Sequence, residues 1–429
     1  RHYVPHVNFC IKQVTVNGNS RKYLGTVEDL YRWDYSHMSK ANQKPDSQVV
    51  SIAKSLMKPG MSNLDKAKAI FSWVQENIKY IAFENGYEGF VPRNAGDVCR
   101  RKYGDCKDMS SILVEMMKSV GLQAYMVLIG TDELPYKFSE NPLPSSANHM
   151  IACVKDKDKY YFLDATGRFY PPFFPTQFIQ GKEALISISK DKFDVVTVPT
   201  PSYTENVLLD SVYLEILDRK LIGKGKTSLS GYRKIDFVSR YNNTLPENMK
   251  DMLNDYLHLG NNKFLQSNHK TKNLDNQPSK CHVTYDFTID DYAVSFKEGV
   301  SVNMSLIQRW KSFSTENQDR TQPLKFNYPS ESKLLAILKI PEGYKVGYLP
   351  KNHEFENENF GFGIKYRLDK DRILAEQTYR IKTRYITHPM FQEWNIMLNN
   401  LSSCYKEVVM LEKSDGKTVM IPSTNKPVK

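Results

Sequence analysis

The periodicity of the apolar residues changes twice along this chain, and the order of the changes restricts the fold. From about Pro45 to Val120 they recur at three- and four-residue spacing, in "DSQVVSIAKSLM", "LDKAKAIFSWVQENIKYI" and "CKDMSSILVEMMKSV". Ile70, Trp73, Val74, Ile78 and Ile81 form one helical stripe. After Gly121 come strand-like runs, "LQAYMVLIG", "HMIACV" and "KYYFLDA". Helices followed by strands predict an α+β domain over residues 45–195.

The flanks read differently. "VNFCIKQVTVNGNSRKYLGT" alternates around an Asn-Gly turn, so residues 1–44 are expected to end an N-terminal β-rich module. "VPTPSYTEN" resembles a linker, and from it residues 196–429 are expected to form a C-terminal β-rich domain of antiparallel, sandwich-like modules. Two helical insertions, "LPENMKDMLNDYLHL" and "PMFQEWNIMLNNL", interrupt its strands before "KEVVMLE". At 429 residues, two or three domains are the ordinary outcome.

A net charge of +11 invites a nucleic-acid reading. The basic residues are instead scattered and mixed with acids, as in "VKDKDKYY" and "YRLDKDR", which fits a solvated surface and no nucleic-acid partner. No apolar run of about 18 residues is present, so no transmembrane segment is expected. The first residue is Arg1 with no charged-then-apolar leader after it, which reads as a mature or trimmed product. The six cysteines are widely spread without a C-x-x-C pair, which fits neither a zinc site nor a dense disulfide framework.

One cysteine stands apart. Cys106 follows Gly-Asp at the start of a helical pattern, and Met109, Ser110, Leu113, Met117 and Val120 share its direction. Asp105 and Asp108 sit where an N-cap and its capping-box partner belong, so the helix is expected to begin at Cys106. A thiol there meets free backbone N–H groups and the positive end of the helix dipole, conditions that favour thiolate. The plainer alternative is a packed core cysteine, a common fate for this residue.

A nucleophilic thiol needs a base, and the base an orienting partner. If "KDKD" closes a four-residue hairpin loop, Val154 faces Lys159 and His149 falls opposite Asp164. Their Cβ atoms would then be about 5 Å apart on one face. Asp164 ends the apolar run "YYFLD", where a chance acid is costly to bury. A strand-end histidine and a turn aspartate remain the bland alternatives, and a zinc site built from the same three residue types stays open.

"GYEGFVPRNAGDVCRRKYGDCKDMSSILVEMMKSVGLQAYMVLI", "NHMIACV" and "YYFLDAT" together resemble the transglutaminase-like superfamily, from roughly Leu64 to Gly181. The likeness is to bacterial proteins whose papain-like core lies between β-rich modules. It implies Cys106 as nucleophile, His149 as base and Asp164 as orienting acid, with no cofactor. Members commonly place a second oxyanion donor upstream of the cysteine, and Tyr80 is the candidate here, with Trp73 a packing residue. The flanks resemble accessory domains of secreted Bacteroidetes-type proteins, which implies a periplasmic or extracellular location.

The implied chemistry is acyl transfer through a thioester on a protein or peptide substrate. Water as acceptor gives hydrolysis of peptide or amide bonds, the favoured expectation. An amine acceptor gives a protein-crosslinking transglutaminase. A third possibility, from a different class, is a peptide-binding adhesion or scaffold protein without turnover. The loop "LPYKFSENPLPSSA" before His149 is a candidate lid.

Overall fold

The computed structural model describes residues 7–83, 85–311 and 320–414, and the chain divides into two units, residues 1–201 and 202–429. In the first unit the helices α1 (Val27–Met38), α2 (Ser47–Ser55), α3 (Asn63–Asn77), α4 (Ala95–Arg101) and α5 (Cys106–Ser119) precede most of the strands. Thr26, Asp46, Ser62 and Asp105 cap α1, α2, α3 and α5, each accepting from backbone N–H groups of the first turn. Side-chain oxygens thus satisfy donors that a helix start leaves orphaned.

The strands β1 (Gln13–Val16) and β2 (Asn19–Lys22) form an exposed hairpin, and β3 (Lys79–Tyr80) pairs with β4 (Tyr103–Gly104) in parallel. The strands β5 (Gln123–Ile129), β6 (His149–Asp156), β7 (Lys159–Leu163), β8 (Glu183–Ser189) and β9 (Lys192–Thr197) make an antiparallel sheet in the order β7-β6-β5-β8-β9. Alternation divides β6 between two cores. Ala152 and Val154 pack with Ile70, Val74, Ile112 and Met116 of the helices, whereas Ile151 and Cys153 pack with Phe162, Ile179 and Ile186. Ile78 is buried as expected, but α3 stops at Asn77 and Ile81 is exposed.

Residues 1–44 were expected to end a separate β-rich module; among the described residues, from 7 onward, this segment forms a short hairpin and then α1. Leu30, Tyr31 and Met38 of α1 are buried with Cys106, Leu128, Phe138, Met150 and Leu185, so α1 belongs to the core unit. The unit boundary falls after Pro201, within the linker-like "VPTPSYTEN".

The second unit is built on an eight-stranded sheet. Its order is 264–272, 281–289, 220–229, 207–217, 330–339, 372–381, 360–369 and 353–356. All neighbours are antiparallel except 207–217 with 330–339, which run parallel, a departure from the purely antiparallel expectation. Helix 391–404 lies on this sheet, with the Trp394 ring edge-on to Phe360 at 5.0 Å. Helices occur at 249–256 and 391–404, within the two expected insertions, and a further helix at 231–243 was not foreseen. Its Tyr232, Ile235 and Val238 have helical spacing, but its aromatic and β-branched content reads as strand. Among the described residues no helix is long and apolar enough to cross a membrane.

Candidate active site

The turn before α5 is built around two carboxylates. Asp105 Oδ1 accepts from the N–H groups of Lys107 at 2.9 Å and Asp108 at 3.2 Å, while Asp108 Oδ2 accepts from the N–H of Asp105 at 3.1 Å. This is the capping box expected from sequence. Arg93 then locks Asp108, donating from its backbone N–H at 2.8 Å and from Nη1. Gly104 is required by the same crowding, because a Cβ there would lie 2.5 Å from Asp108 Cβ. Asp105 caps the second and third residues of the helix, so the N–H of Cys106 lies outside the cap.

Cys106 and His149 line one cavity of about 300 Å³, together with Trp33, Asp34, His37, Phe90, Lys107 and Leu128. Both are 8% exposed. His149 Nε2 donates to Asp164 Oδ2 at 3.0 Å, and Asp164 is 5% exposed. Asp164 also accepts from Thr166 N at 3.2 Å, Thr166 Oγ1 at 2.6 Å and Thr176 Oγ1 at 2.6 Å. The edge of the Phe178 ring meets the imidazole at 5.3 Å. With four donors and a packed neighbour, neither partner of the pair is free to swing.

The hairpin register differs from expectation. Asp156 pairs Lys159 and Ala152 pairs Leu163, so the loop holds two residues, not four, and His149 lies diagonal to Asp164. A slip of two leaves every side chain on its original face, which is why the two still meet.

Burial opposes charge on His149, but the Asp164 carboxylate and a hydrogen bond with Cys106 outweigh it, raising the imidazole to about 10. Burial likewise opposes charge on Asp164; His149 together with the hydroxyls of Thr166 and Thr176 holds it below the usual carboxylate range. Nε2 is committed to Asp164, which leaves Nδ1 as the ring nitrogen for the thiol.

Tyr80, the candidate oxyanion donor, lies on β3 beside β4, but its side chain is 44% exposed and it is not among the cavity-lining residues. Trp73 packs partly buried at the helical core, with Lys102 Nζ 5.0 Å from its ring centroid. The candidate lid is pinned: Phe138 and Leu143 are buried, and Lys182 Nζ donates to the carbonyls of Leu134 and Tyr136. Through Pro144 and Ala147 the segment forms a wall of the cavity. Sequence reasoning missed Thr176, which carries no local signal, and Asp34, whose helix was read as part of another module.

All six cysteines are free. No group of three or more metal-ligating side chains occurs among the described residues. A larger groove of about 470 Å³ lies in the second unit, but its lining holds neither cysteine nor histidine, so the candidate chemistry belongs to the smaller cavity.

Cys106 at a helix mouth thus shares a cavity with the strand-borne His149, which Asp164 holds. Residues 50–165 match the transglutaminase-like superfamily, and this chain carries a transglutaminase-like core. Residues 297–411 match a domain of unknown function, DUF3858. The crystal structure of a protein from Parabacteroides distasonis described as a "putative protease" is similar, with a TM-score of 0.53 at 10% identity. The match covers 95% of this chain and 64% of that one, so this chain spans less than two thirds of its length. At that identity the likeness concerns the fold alone. A structure from Cytophaga hutchinsonii described as a "putative cysteine protease" is 18% identical over 29% of this chain and 40% of its own, and its TM-score of 0.22 carries no argument. No curated protein matches significantly.

Proposed function

We propose that this protein is a thiol acyl-transfer enzyme that hydrolyses peptide or amide bonds through Cys106, His149 and Asp164. The observation that carries the reading is the buried His149–Asp164 hydrogen bond of 3.0 Å in the cavity that also holds Cys106. Cys106 Sγ attacks the substrate carbonyl carbon as thiolate, and the carbonyl oxygen becomes an oxyanion near the uncapped N–H of Cys106. Collapse breaks the C–N bond, and the His149 imidazolium gives its proton to the departing amine. Water then attacks the thioester, His149 takes one of its protons, and the thiolate leaves as the carboxylic acid forms. Asp164 holds the ring in one orientation throughout and stabilises its charged form.

The resemblance of the flanks to accessory domains of secreted Bacteroidetes-type proteins supports a bacterial origin and a periplasmic or extracellular location. Casein mixed with a fluorescent amine tests the acceptor. Hydrolysis predicts fragments that vanish in Cys106→Ala and no incorporated label. Label incorporated by the wild type and lost in Cys106→Ala would replace hydrolysis with crosslinking, and a substrate bound but left intact would make the protein a binding module.

A further inference from the structure

The buried acids of the core unit are well supplied with donors, with one exception. Asp105, Asp108 and Asp164 each accept three or more hydrogen bonds. Asp34, on α1, lines the cavity with Cys106 and His149, is 4% exposed, and its Oδ2 meets no donor. Among the described residues no cation pairs with it, and burial pushes the carboxyl up to about 7. Lys107, which shares the cavity, has its Nζ on Asp105 Oδ2 at 2.7 Å, and His37 Nδ1 lies 2.8 Å from the Trp33 carbonyl.

An unpartnered carboxylate inside a cavity is unfavourable unless what enters the cavity brings the donor. Its surroundings suit a cation. Trp33 and Phe90 line the same cavity, edge to face with centroids 5.6 Å apart, and aromatic rings attract ammonium groups.

We infer that Asp34 is a specificity-determining residue, pairing with a primary ammonium group of the substrate in the cavity that Trp33 and Phe90 also line. The inference rests on the acyl-transfer reading of Cys106. The ammonium belongs either to the amino terminus of a short peptide or to a lysine side chain, two sources with the same recognising chemistry. Asp34 acts on binding and takes no proton in the bond-making steps.

The test is protection of Cys106 from iodoacetamide at pH 8, mapped by mass spectrometry, with three peptide amides as ligands. Ala-Leu-NH2 carries an α-ammonium, acetyl-Ala-Lys-NH2 a side-chain ammonium, and acetyl-Ala-Leu-NH2 no charge. In the wild type, at least one cationic ligand should protect at a concentration tenfold or more below that of the neutral one, and which one identifies the source. In Asp34→Asn that gap should close, each variant being compared with its own unprotected rate. Equal protection by all three, no protection by any, or a gap unchanged in Asp34→Asn overturns the assignment. Failure of the underlying reading looks different: Cys106 would then be alkylated no faster than Cys99 or Cys153 before any ligand is added.

Discussion

His149 and Asp164 stand 15 residues apart in sequence and 3.0 Å apart in space, one at the start of its strand and the other just past the end of the neighbouring strand. The carboxylate that orients the ring is itself held by Thr166 and Thr176, so the geometry is set before any substrate arrives. Preorganisation of this kind makes each member of the set separately testable.

Asp164→Asn keeps the shape but cannot compensate the imidazolium or fix the tautomer. Peptidase kcat/KM should fall by about 10²–10⁴-fold, following what such a change does in hydrolases of comparable logic. Wild-type rates in this variant would remove Asp164 from the mechanism. Thr176→Val should give a smaller loss, because Asp164 retains its other donors.

The pair also predicts a pH dependence of stability. His149 is raised from 6.5 to about 10, so its contribution is fully present below 6.5 and is lost as pH rises towards 10. Asp164 is lowered from 3.8, so its contribution is present above 3.8 and lost as pH falls through its lower folded value. Urea midpoints of wild type and His149→Ala should differ most near pH 5–6 and converge towards pH 10. A constant difference across that range would deny the charged pair.

Asp34 has the opposite sign. Its carboxyl is raised from 3.8 to about 7, so the folded state retains a proton that the unfolded state gives up, and stability falls as pH rises through that window. Asp34→Asn should therefore be more stable than wild type at pH 8, by up to about 4 kcal/mol, and no more stable at pH 4. Chemical denaturation at the two pH values measures it. A variant that is less stable at pH 8 would mean that Asp34 has a partner within the fold.

Asp108→Ala removes the acceptor shared by the N-cap and Arg93, whose side chain is 9% exposed. Arg93 keeps its ion pair with Glu88, so the cost is that of the buried donors left unpaired, about 1–3 kcal/mol, and the urea midpoint should shift accordingly. Gly104→Ala forces a Cβ against Asp108, and about 1–3 kcal/mol is expected. If either variant matches wild type, the helix start is not held as described.

Much of the site was legible because its determinants are local. The Asp105–Asp108 box and the inward direction of Cys106 follow from helical spacing, and the common face of His149 and Asp164 from strand alternation. The hairpin register was not legible, since Lys157 adopts φ 55° to close a two-residue turn that a reader expects of Asn or Gly. Helix α1 did carry a signal, the Thr26–Asp29 capping box followed by Leu30, Tyr31, Asp34 and Met38 on one side. The neighbouring Asn-Gly hairpin drew that segment into a β reading. Thr176 reaches Asp164 through tertiary folding alone, and no local pattern announces it.

The parallel pairing of strand 207–217 with 330–339 has a consequence for synthesis. Val207 finds its partner Glu331 roughly 120 residues later, so at ribosomal rates one edge of the earlier strand waits about 6–25 s for cover. During that interval the nascent second unit presents an open strand edge beside Leu208, Val212 and Leu214. A chaperone or a prompt export route would have its strongest claim on this chain then, before the sheet has closed.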